Sequence, residues 1–202
     1  MSENGTPDRS ERTALYMSIA ITGFAAAVTA VTAISRLTEV APGHDIPVTV
    51  PIADESVGLP LGPNGAMVTT QVDTVTVTVN DPAPATLFAL WAQPIWMALC
   101  IIAGLVLAAM FFARVARGQI FTRNASRIAT AGATVVAVGW LGATVLTNMS
   151  TNGALAAISD KTYESVIFNV SMVPFLAVLL LGGLAGALQL GERLQRDTEG
   201  LV

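Results

Sequence analysis

The stretch Leu87–Phe112, LFALWAQPIWMALCIIAGLVLAAMFF, contains no Asp, Glu, Lys, Arg or His. As a helix rising about 1.5 Å per residue it reaches roughly 39 Å, longer than the ~30 Å hydrocarbon core of a bilayer. Three further runs share the property: Thr13–Ser35, Ile128–Asn148 and Val166–Leu190. A span must satisfy its own backbone polar groups, so four such runs predict an all-α membrane protein, a four-transmembrane-helix bundle.

Working outward, the charges give the spans a direction. Of ten basic residues, eight fall in three short stretches: Arg9 and Arg12, then Arg114, Arg117, Arg123 and Arg127, then Arg193 and Arg196. Only Arg36 and Lys161 lie on the other side of the spans. The positive-inside rule therefore predicts cytoplasmic tails at 1–12 and 191–202, spans at 13–35, 87–112, 128–148 and 166–190, and a cytoplasmic Arg-rich loop at 113–127. The segments 36–86 and 149–165 are expected outside, where eight carboxylates oppose two bases. The formal charge of −4 thus conceals a division between the two sides. The first span exceeds the h-region of a signal peptide, usually about 7–15 residues, which predicts an uncleaved anchor.

Composition distinguishes the spans. Ser18, Thr22, Ala25, Thr29 and Thr32 fall on one face of the first helix, and Thr130, Thr134, Ala137, Leu141, Thr144 and Asn148 repeat the pattern in the third. Small and hydroxyl side chains permit close helix approach, so Thr22 and Thr29 are candidate packing positions and these two helices are expected to be the most covered. Gly182 and Gly186 form a GxxxG in the fourth span, able to seat a helix of the same chain or of a second subunit. Pro94 and Pro174 predict local kinks, because each removes a backbone donor. Gln93, Asn148 and Asn169 form a candidate intramembrane polar cluster that either ties helices together or lines a path. Trp96 is expected inside the bundle, with its indole N–H on an acceptor.

The outer segment 36–86 should contain a small β-hairpin-like insertion. Ile46, Val48, Val50 and Ile52 alternate with Pro47, Thr49 and Pro51, while Val75, Val77 and Val79 alternate with Thr74, Thr76 and Thr78. A period of two with β-branched residues predicts strands, joined through the Gly/Pro-rich run Gly58–Gly65. A two-stranded unit is marginal alone, so its Val/Ile face should cover helix ends or pair with another chain.

Candidate chemistry is sparse. His44 is the sole histidine and the nearby carboxylates lack a ligand spacing, so no metal is expected. Cys100, the sole cysteine, sits within an apolar span and reads as a packing residue. No Walker loop, HExxH or GxSxG context occurs, and the expectation is no catalytic residue, no cofactor and no enzyme activity. Direct nucleic-acid binding is not expected either. The partners implied are the lipid bilayer, anionic headgroups at the inner face, and a protein partner or a homo-oligomer.

The inner loop carries RGQIFTRNASRIATAG (Arg117–Gly132), in which Gly118 can end the second helix, Thr122 can N-cap the third, and Phe121 can tuck against the bundle. The tail carries GERLQRDTEGLV (Gly191–Val202) directly after the fourth span. Together these two motifs resemble the paired signatures of the domain of unknown function 2975 family, small bacterial four-span membrane proteins. The resemblance covers the chain from Ala14 onward, except the outer segment. It implies a bacterial plasma-membrane location and a signalling or regulatory role, with no established activity. Charge complementarity adds a further expectation: Asp197, Glu199 and the Val202 carboxylate meet Arg114, Arg117, Arg123 or Arg127 as a cytoplasmic latch. The reading as a whole is a non-enzymatic membrane protein that binds a partner or senses the envelope; a small transporter or channel subunit is the alternative.

Overall fold

In the computed structural model, residues 9–119, 122–159 and 168–199 are described. They form α1 (Arg9–Val40), β1 (Ile46–Leu59), a single 3-10 turn (Pro63–Gly65), β2 (Val68–Val79), α2 (Pro84–Val115), α3 (Arg123–Ile158) and α4 (Val173–Glu199). Each helix contains a segment long and apolar enough to cross a membrane: Arg12–Val40, Pro84–Val115, Arg123–Ile158 and Val173–Leu194.

Helix ends follow local chemistry. Pro84 opens α2, where its missing N–H would have no intrahelical partner anyway. The C-terminus of α2 is a Schellman motif: Gly118 adopts φ 72°, its N–H donates to the Val115 carbonyl at 2.9 Å, and Gln119 N–H donates to the Arg114 carbonyl at 3.0 Å. Thr122 caps α3, its Oγ1 accepting from Ala125 N–H at 3.3 Å. Phe121 lies outside the described residues.

The helices differ from the apolar spans at their ends, and two of these differences change the reading of named residues. Helix α3 continues ten residues past Asn148, because Ser150, Thr151 and Asn152 turn their side-chain donors back onto the carbonyls of Thr147 and Asn148. Helix α4 begins at Val173 and not near 166, so Pro174 occupies its first turn and interrupts no helix. Pro94, by contrast, lies inside α2, which runs through it without a break.

The chain divides into two units, Met1–Ser35 with Pro94–Thr144 and Val170–Val202, and Arg36–Gln93 with Val145–Asn169. The second, called here the hairpin unit, contains a core of Val40, Ile46, Val48, Val50, Val79, Leu90, Ala154 and Leu155, flanked by Val77 and Leu87. Ile46, Val50, Val79 and Leu90 are essentially fully buried, each contributing about 1.5–3 kcal/mol relative to exposure. The base of the hairpin is tied down by Asp45 N–H on Asn80 Oδ1 at 2.8 Å and by Arg36 Nη2 on the Pro47 carbonyl at 2.8 Å.

Among the described residues the sheet is one antiparallel pair, with Ile46 opposite Val79, Val50 opposite Val75, and Pro51 opposite Thr74. The register then shifts between Pro51 and Glu55, after which Val57 faces Thr70 and Leu59 faces Val68. Strand β2 has no insertion, so its alternation continues unbroken: Val75, Val77 and Val79 lie on one face, Val68 and Val72 on the other. The hairpin therefore changes its apolar face at the bulge. The half near the helices is packed, whereas Val57 and Val68 are 43% exposed and the tip residues Leu61 and Met67 more so.

The first unit, the bundle unit, is built differently. Its buried residues among those described are Ala116, Ala125, Ser126, Ile128, Ala129, Gly139, Ala185 and Leu188, with Phe111 packed against Ala129, Ala185 and Leu188. Large apolar side chains such as Phe24, Leu141 and Leu180 point outward.

Candidate functional site

The candidate amides resolve into two sets of bonds, both made to one stretch of α3 in the hairpin unit. Gln93, the last residue of that unit on α2, donates from Nε2 to Thr147 Oγ1 at 2.9 Å and accepts at Oε1 from Ser150 Oγ at 3.3 Å. Asn148, which is buried, donates from Nδ2 to the Asn169 carbonyl at 3.1 Å and accepts at Oδ1 from Asn169 N–H at 2.9 Å. Asn148 thus grips the backbone of Asn169 as a neighbouring strand would. Both ends of both amides are engaged. A bond at each end is what a buried amide needs at least, and each bond left unmade would cost about 1–3 kcal/mol.

Close approaches accompany these bonds. In the hairpin unit Thr86 lies where a Cβ on Gly153 would be; in the bundle unit the Trp96 indole occupies the corresponding space at Gly142. Trp96 Nε1 donates to the Gly139 carbonyl at 3.2 Å, the acceptor its position demanded. Cys100 packs against the same Gly139, as a small residue would. Trp140, tilted against Phe175 with ring centroids 6.0 Å apart, keeps a buried N–H with no acceptor among the described residues.

The packing candidates separate. Thr22 and Thr29 fall on the half-buried face of α1, but their hydroxyls bond to the carbonyls of Ile19 and Ala25 in the same helix. The expectation that α1 and α3 would be the most covered helices is corrected for α1, where Val40 is the only buried residue among those described. Small side chains bring little of their own surface to a contact. Gly182 and Gly186 are exposed, and a Cβ at either meets nothing within 4 Å, so the GxxxG seats no helix among the described residues.

At the end of the bundle unit that carries Arg114 and Arg123, the four arginines have no counter-charge among the described residues. Arg117, Arg123 and Arg127 are exposed and Arg114 is half-buried, and no ion pair joins any of them to a carboxylate among the described residues. Asp197 is exposed; the side chain of Glu199 and all of Val202 lie outside the described residues. The bond that does form there is from Ser126 Oγ to Glu192 Oε2 at 3.3 Å, supported by Gln189 Nε2 on Thr130 Oγ1 at 3.5 Å. Sequence reasoning missed the Ser126–Glu192 pair. Its signal was a carboxylate immediately after an apolar span, opposite a serine in an otherwise acid-free loop.

His44 meets only Asp45 among the hydrogen bonds and ion pairs observed, at 3.2 Å, and no group of three metal-ligating side chains occurs among the described residues. Comparison with family models, with curated proteins and with solved structures finds no match for the chain.

Proposed function

We propose that this chain is a multi-pass protein of the bacterial plasma membrane, with both termini cytoplasmic, which holds its outer hairpin as a fixed head for binding a partner or sensing the envelope. The proposal includes membership of the domain of unknown function 2975 family, on the strength of the two cytoplasmic motifs. One observation carries the reading: half of the hairpin is packed into a core with helix residues, while the other half presents Val57, Leu61, Met67 and Val68 to the outside. A mounted base with an apolar, unoccupied far end suits recognition better than catalysis.

The transporter alternative drew on Gln93, Asn148 and Asn169 as path-lining groups. The side-chain amides of Gln93 and Asn148 are engaged by Thr147, Ser150 and the backbone of Asn169, which favours a tie between elements, so the binding or sensing role is preferred. A photo-crosslinking residue placed at Leu61 or Met67 in native membranes tests it. The expected result is one adduct of defined mass from the hairpin positions and none from Leu141; identical patterns from both sites would remove the basis for a binding head.

A further inference from the structure

The inner end of the bundle unit joins two features that topology alone does not require: unpaired charge and rigid presentation. An orienting loop needs only basic residues on the cytoplasmic side, in any conformation. Here Arg114 closes α2, Arg117 stands in its Schellman turn, and Arg123 and Arg127 occupy successive turns of α3 beginning at its first residue. The spacing of four puts Arg123 and Arg127 on one helix face. The platform beneath is closely packed: Ala125 is fully buried, Ala116, Ser126, Ile128 and Ala129 nearly so, and Leu188 and Ala185 of α4 are buried with Ala129. Both flanking helix ends are capped.

Glu192 accepts from Ser126, the residue just before Arg127, while Arg123 and Arg127 form no ion pair among the described residues. Four guanidinium groups with no ion pair among the described residues, carried on capped helix ends, call for an external anion. Guanidinium forks match phosphate oxygens in pairs, which an ammonium cannot do. We infer that Arg114, Arg117, Arg123 and Arg127 form a retention site for a phosphate-bearing lipid headgroup, with the arginines acting as hydrogen-bonding forks beyond their role as topological charges. This rests on the membrane-spanning reading above.

The test compares three full-length chains in nanodiscs containing equal phosphatidylglycerol and phosphatidylcholine, with bound lipid read by native mass spectrometry after release into detergent. The wild-type chain should retain phosphatidylglycerol over phosphatidylcholine by about tenfold, since each arginine at an anionic surface adds about 1 kcal/mol and not all four act fully. The variant R114K/R117K/R123K/R127K keeps the charge, and hence insertion and orientation, yet should lose at least about threefold of that preference because the forks are gone. R36Q, on the opposite side, should match wild type. Equal retention by the wild-type and lysine chains overturns the proposal in favour of orientation alone. Displacement of the retained lipid by excess inorganic phosphate overturns the lipid source, making this a free-anion site. Release of the chain from native membranes by alkaline carbonate would instead overturn the membrane-spanning reading itself, separately from lipid selectivity.

Discussion

The hairpin unit and the bundle unit bury opposite kinds of residue. The first hides Ile46, Val50, Val79 and Leu90 and bonds its amides at both ends; the second hides mostly small residues and leaves Phe24, Leu141 and Leu180 facing out. Water drives large apolar groups inward, whereas lipid is as apolar as leucine and rewards close packing of small residues instead. On the proposed membrane-spanning reading, the two units are parts of one chain selected against different solvents.

Substitutions can break that comparison. The largest effect is expected from Ile46→Ala, which empties a fully buried site and should cost about 2–5 kcal/mol, while Leu180→Ala, at 75% exposed, should leave the melting temperature in detergent unchanged. Similar losses for both would erase the distinction. Gly142→Val should cost about 1–3 kcal/mol, because its Cβ overlaps the Trp96 indole; the lowered melting point should recover in part with Trp96→Phe. Asn148→Ala leaves the Asn169 N–H and carbonyl without their partner and should cost about 1–3 kcal/mol, seen as faster amide exchange at Asn169. Smallest of all, Gly182→Ile with Gly186→Ile should not change the stability of the single chain, since neither meets a neighbour. If those two changes shift the mass of the detergent-solubilised species, the open face of α4 belongs to an interface between copies.

How much of this was legible depends on what each residue signals. The four long apolar helices are readable because a charge inside hydrocarbon is costly, and the absence of charge over such lengths is a strong signal. Gly118 and Thr122 are readable because a C′ glycine and a threonine cap solve the same shortage of partners at every helix end. Ser150, Thr151 and Asn152 misled, since hydroxyl and amide residues favour loops unless their donors turn back onto carbonyls of their own helix, as they do here. The bulge past Pro51 was hidden for a related reason: alternation reports which face a residue takes but not where the pairing slips. Among the site residues, the amides were found as types while their partners Thr147 and Ser150 were not. Hydroxyls are too common in these spans to stand out.

The Trp96 contact gives the chain an optical handle. An indole held by a hydrogen bond to Gly139 and pressed against the backbone at Gly142 loses both when α2 and α3 separate there. Its emission colour and quenching are therefore a label-free gauge of that helix pair, readable in intact membranes once Trp91 and Trp140 are replaced by phenylalanine.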